Sequence, residues 1–74
     1  MPKLKIHIFT EAWDENEVLR KLEKIKGVEE ISVGFNGITA TVKADTMENL
    51  KEIVTYQIRR IDKIRTIVTS VVER

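Results

Sequence analysis

The sequence predicts an α+β sandwich of element order β-α-β-β-α-β, and three features carry that reading. Four short runs alternate apolar and polar residues, as half-buried strands do. Two intervening stretches repeat apolar residues at helical spacing behind acidic starts. An Asn-Gly pair, Asn36-Gly37, separates the second and third runs without a helix between them. With right-handed crossovers this order gives the split βαβ, ferredoxin-like sandwich, a four-stranded antiparallel sheet with two helices on one face.

Strand one, about residues 3 to 9, sets Leu4, Ile6 and Ile8 against Lys5, His7 and Phe9. Helix one is expected to start at Asp14, with Glu17 completing a capping box and Trp13 and Val18 in hydrophobic-staple positions. Val18, Leu22 and Ile25 continue the apolar stripe, and Gly27 suits the left-handed position beyond its end. Strand two places Ile31, Val33 and Phe35 on one face. Asn36 and Gly37 both tolerate positive φ, which favours a two-residue hairpin turn there. Strand three alternates Ile38, Ala40, Val42 and Ala44 with Thr39, Thr41 and Lys43. Helix two is expected from Asp45 or Thr46, with Asp45 and Glu48 as a second capping box and a stripe of Met47, Leu50, Val54, Ile58 and Ile61. Strand four covers roughly 64 to 72.

The two halves repeat. A shift of 36 positions sets Leu4 on Ala40, Ile6 on Val42, Val18 on Val54, Leu22 on Ile58, Ile25 on Ile61, Val28 on Ile64 and Ile31 on Ile67. One strand–helix–strand unit is therefore used twice. Both helices cover the same sheet face, leaving the other bare. Strand alternation assigns to that bare face Lys5, His7, Phe9, Thr39, Thr41, Lys43, Ile67, Thr69 and Val71. The mixture is too apolar for a solvated surface and too polar for a monomer's core, so it fits a face that meets a partner sheet or a ligand.

Residues 1-74 make one domain, small enough to bury only about 60% of its unfolded surface. Cysteine is absent, which excludes disulfides, thiolate metal sites and a cysteine nucleophile. A second subunit is the staple that remains. With 13 basic and 12 acidic residues there is no global field to attract nucleic acid or an anionic membrane. No apolar run approaches the roughly 20 residues of a membrane span, and the N-terminal apolar stretch is too short for a signal peptide. A cytoplasmic location is the expectation. Abundant Ile, Val, Lys and Glu without Cys suggests a thermophilic source.

The second half of the chain is similar to the effector-binding (RAM) module of the Lrp/AsnC transcription regulators. Its carriers are an acidic cap before a helix, Arg60-Ile61 through Ile64-Arg65 at the following corner, and Thr69-Ser70-Val71-Val72 on the last strand. The first half matches in element order and length, so the resemblance spans nearly the whole chain. It implies a stand-alone module without the family's DNA-binding helix-turn-helix. It also implies two sheets packed face to face as a dimeric α/β barrel, further assembly of dimers, and a small effector, usually an amino acid, bound between dimers. The family's effector contacts come from a Gly-x-[Tyr/Phe]-Asp hairpin and a Thr-x-Thr pair on the last strand. Carried over, these fall on Gly34, Phe35, Asn36 and Gly37 and on Thr69 and Ser70. The sequence departs from the pattern twice: the hairpin carries no carboxylate, and Ile67 stands where the first Thr would be.

Other candidates read more plainly. His7 is the lone histidine, so no multi-histidine metal site forms within one chain, and no cofactor is implied. It suits a packed or solvated position better than a proton shuttle. Gly34, inside a strand, suggests a bulge or a close backbone approach. Arg59, Arg60, Lys63 and Arg65 cluster where a helix C-terminus favours cations, and lack the interleaved aromatics that single-stranded nucleic acid would use. Three functions follow. The first is a non-catalytic effector-binding and oligomerisation module that co-assembles with a full-length Lrp/AsnC relative and does not touch nucleic acid or membrane itself. The alternatives are an ACT-like small-molecule sensor and a small dimeric-barrel enzyme using His7.

Overall fold

In the computed structural model, which describes residues 1–35 and 37–73 with side chains through residue 70, the element order is the expected one. Strand β1 (Lys3–Thr10) leads through a 3-10 turn (Ala12–Asp14) into helix α1 (Glu15–Glu23). Strands β2 (Val28–Gly34) and β3 (Gly37–Lys43) form the hairpin. Helix α2 (Met47–Glu52) runs on as a π-helical segment (Ile53–Ile58), and β4 (Ile64–Glu73) closes the chain. The strands make one antiparallel sheet of order β2-β3-β1-β4, and the fully buried residues of the sheet come from its two central strands, β3 and β1.

Ile6 and Ile8 from β1, Ile38, Ala40 and Val42 from β3, and Val18, Leu22, Leu50, Val54 and Ile58 from the helices form the buried core. Every pair related by the 36-residue shift, from Leu4 and Ala40 to Ile31 and Ile67, belongs to this core or packs against it. The repeat is thus a repeat of inward-facing positions. No buried polar side chain interrupts the apolar interior among the described residues.

Several local expectations change. Asp14 does not cap α1: its backbone is helical and its side chain makes no capping bond, because Asp14 and Glu17 both turn to the Lys63 ammonium, at 3.8 and 3.4 Å. Trp13 is 80% exposed, so it is no staple. At α2 the cap is Thr46, whose Oγ1 accepts the Asn49 amide at 3.1 Å, and not Asp45. The hairpin also shifts by one residue. Gly34 pairs with Gly37, so β2 ends before Phe35 and Gly37 is the first residue of β3. Gly37 still needs to be glycine: its φ is +115°, and a Cβ there would lie 2.5 Å from the Ile8 carbonyl oxygen. The bulge expected at Gly34 is instead at Glu30, with φ 53°, where the β2–β3 register slips between Glu29 and Ser32. That extra residue keeps Val28 and Ile31 on the same side of the sheet despite their odd spacing.

The largest correction concerns β4. Its pairing with β1 sets Ile67 opposite Ile8, Thr69 opposite Ile6 and Val71 opposite Leu4. Directly opposed residues share a face, so Ile67 and Thr69 lie on the helix side with Ile6 and Ile8, not on the bare face. Val71 stands in register with them, and its side chain lies outside the described residues. The bare face receives Thr66, Val68 and Ser70, opposite Phe9, His7 and Lys5. A register slip between Phe9 and Thr10 adds one residue to β4 near Arg65, which simple alternation from residue 64 does not anticipate.

Candidate functional site

The bare sheet face is built in rows that cross the strands. Ser32, Thr39, His7 and Val68 form one row, and Glu29, Thr41, Lys5 and Ser70 the next. Ser32 and Thr39 share a hydroxyl–hydroxyl hydrogen bond of 2.8 Å. The His7 ring stacks on Phe9, its neighbour two residues on, with centroids 4.5 Å apart and planes 6° from parallel. Val68, 54% exposed, borders this stack. The periphery is charged, with Lys43 and Glu29 paired at 3.5 Å. An apolar centre ringed by hydroxyls and a few charges is the composition of an interface, and neither helix reaches it.

The hairpin end adjoins this face. Phe35 is fully exposed, and with Phe9, Thr10, Ala12, Glu15 and Gly37 it borders a shallow cleft of about 260 Å³. Asn36, named with these residues on sequence grounds, lies outside the described residues. Gly34 meets nothing closer than the Gly37 carbonyl oxygen at 4.0 Å, so no contact within the chain demands glycine there.

The six residues singled out by the resemblance do not form one cluster within the chain. Gly34, Phe35 and Gly37 sit at the Phe9 end of the sheet. Ser70 is opposite Lys5, four residues away along β1 and roughly 13 Å at 3.3 Å per residue. Thr69 points to the opposite face and lines a groove with Leu4, Leu50, Val54 and Arg59. That groove went unnoticed in the sequence because its existence depends on the β4 register.

The basic cluster at the end of the second helix is partly neutralised. Lys63, itself at φ 75°, holds Asp14 and Glu17, and Arg65 pairs with Glu11. The hydrogen bond from Lys63 lowers the pKa of the Glu17 carboxyl, and the same bond raises that of Lys63. These contacts tie the start of β4 to the start of α1. Among the described residues no group of His, Asp and Glu could hold a metal ion, and no helix is long and apolar enough to cross a membrane.

No family model and no curated protein matches the sequence. Solved structures do. The chain is 29% identical to FFRP-DM1, with a TM-score of 0.89 over 99% of this chain and 100% of that one. It is equally similar to the hypothetical protein PHS023 from Pyrococcus horikoshii, at 29% identity and TM-score 0.89 over 100% of this chain and 92% of that one. With E. coli AsnC it shares 25% identity and a TM-score of 0.86; 99% of this chain aligns with 51% of AsnC, so it spans about half that protein's length. The likeness to the Lrp/AsnC module seen in the sequence is therefore a likeness of the whole three-dimensional fold.

Proposed function

We propose that this chain is a non-catalytic oligomerisation and small-molecule effector-binding module of the Lrp/AsnC type. The bare sheet face carries the proposal: His7 stacked on Phe9, with Val68 beside them, forms an apolar centre that neither helix covers. A second copy supplies a matching sheet, and face-to-face packing of the two gives the dimeric barrel. The stacking of His7 on Phe9 favours a packing role for its ring over that of a proton shuttle. Gly34, free of any contact that would require glycine, leaves the hairpin open to backbone approach by another dimer. There Gly34, Phe35, Asn36 and Gly37 of one chain would meet Ser70 of another across an effector. Co-assembly with a full-length relative uses the same sheet face.

The hairpin lacks a carboxylate for an amino group, and one charge-assisted hydrogen bond is worth about 1.5–3 kcal/mol. Common amino acids should accordingly bind only at about millimolar concentration. Calorimetry against the twenty amino acids tests this, with Asn36→Asp alongside. Position 37 is unsuitable for the carboxylate, since any Cβ there meets the Ile8 carbonyl. Micromolar binding by the native protein would overturn the reading of the hairpin.

A further inference from the structure

A groove lies on the opposite side of the sheet from the bare face. The groove of about 260 Å³ runs between one flank of the second helix and β4. Leu4, Leu50 and Val54 give it an apolar floor, and Thr69 stands on its β4 side. Met47, Lys51, Thr55 and Arg59 follow one another at intervals of four, so they form a single row along the helix, and all four line the groove. The π-helical winding contributes: the Arg59 amide donates to the Val54 carbonyl, five residues back, at 2.9 Å, and both residues line the groove. Such widened turns are frequent where helices bind something.

The charges along this groove are of one sign. Among the described residues, Lys51 and Arg59 line it, no carboxylate side chain does, and neither cation makes an ion pair. Lys21, Lys43, Lys63 and Arg65 are the cations paired with acids among the described residues, so Lys51 and Arg59 are set apart by their place beside the apolar floor and not by the lack of a partner. An apolar floor flanked by two unpaired cations and two threonine hydroxyls is complementary to an apolar tail carrying a carboxylate. The volume falls just below the roughly 300 Å³ at which drug-sized pockets begin, which limits the tail to a short one.

We propose that this groove binds a short-chain aliphatic monocarboxylate, its tail on Leu4, Leu50 and Val54 and its carboxylate held by Arg59 and Lys51. The site is separate from the hairpin and the bare face, and it needs no second chain. Hexanoate is the probe, with hexylamine as the control of equal length and opposite charge. Amide correlation spectra of the full chain should show saturable shifts at Leu50, Thr55 and Thr69 with hexanoate. Hexylamine should bind at least about tenfold more weakly. Arg59→Gln and Lys51→Gln, both at exposed positions that leave the core intact, should each lower hexanoate affinity several-fold, and together about tenfold or more. Shifts centred elsewhere, non-saturable shifts, an equal response to hexylamine, or unchanged affinity in the double variant would each overturn the proposal.

Discussion

Replacing Val68 with lysine separates association from folding. Val68 lies on the bare face beside His7 and keeps 54% of its surface exposed in the single chain, so it contributes little to the core of one copy. Complete burial of a valine side chain is worth about 1.5–3 kcal/mol; the half still exposed in each chain therefore contributes about 1 kcal/mol on association. A two-fold interface counts the residue twice, giving about 2 kcal/mol lost with the valines alone. Lysine adds an uncompensated charge within an apolar centre, which costs several kcal/mol more unless the ammonium escapes to water. A total of at least about 3 kcal/mol raises the dimer dissociation constant by roughly a hundredfold. Sedimentation velocity across a concentration series reads this directly, with circular dichroism to show that the fold is unchanged. Thr69→Lys, one residue along but on the helix side, should leave association intact. A monomeric native protein at micromolar concentration, or a Val68→Lys variant that dimerises like the native chain, would refute the interface.

The remaining predictions concern the single chain. Leu22→Ala removes a fully buried side chain and should cost about 2–5 kcal/mol, a large share of the roughly 4–11 kcal/mol available to a domain of this size, as urea unfolding would show. Gly37→Ala should cost about 1–3 kcal/mol in the same assay, because its Cβ meets the Ile8 carbonyl at positive φ. Gly34→Ala should change the stability of the single chain by no more than about 0.5 kcal/mol, since the space beside it is open. The Glu17–Lys63 pair gives a pH signature of known sign. Stabilisation from Glu17, whose folded pKa is lowered, is complete above its unfolded value and disappears as pH falls through the folded one. That from Lys63, whose folded pKa is raised, is complete below its unfolded value and disappears as pH rises through the folded one. Melting temperatures of native protein and Glu17→Gln should therefore differ at neutral pH, by a small amount for so exposed a pair, and converge in acid.

The sequence carried the element order, the sheet and nearly all of the core, because those follow from apolar periodicity read over two copies of one unit. Leu22 and Ile58, or Ile6 and Val42, are interchangeable in that reading, and both members of each pair are buried. What alternation could not supply was the phase of β4. One added residue beside Arg65 inverts the inward and outward sets, and no residue type marks the slip. The repeat itself held the right phase, since it aligns Ile67 with Ile31, and both pack against the core. Capping failed for a different reason. Asp14 and Glu17 satisfy the local pattern of a capping box, yet Lys63, far along the chain, takes both carboxylates. Long-range charge pairing prevailed over a local motif. For the candidate site, the hairpin was legible as a turn, while the groove was not legible at all, because Thr69 and Arg59 come together only through the tertiary fold.

The phase of β4 also decides how the two proposed sites relate. Thr69 and Ser70 are adjacent in sequence but face opposite sides of an edge strand, so a ligand on one side does not reach both. A site that joins the hairpin to Ser70 needs a neighbouring chain, since those groups are separated along the sheet of a single chain. The groove beside Thr69 needs none. Disrupting the bare face should therefore abolish whatever the hairpin binds through assembly and leave the groove untouched. Val68→Lys provides that separation: its monomer should bind hexanoate with the native affinity, because Val68 lies on the other side of the sheet from Leu50, Val54 and Arg59. If hexanoate affinity instead falls in step with the loss of the dimer, the carboxylate is held between chains, and the groove of the single chain is not its site.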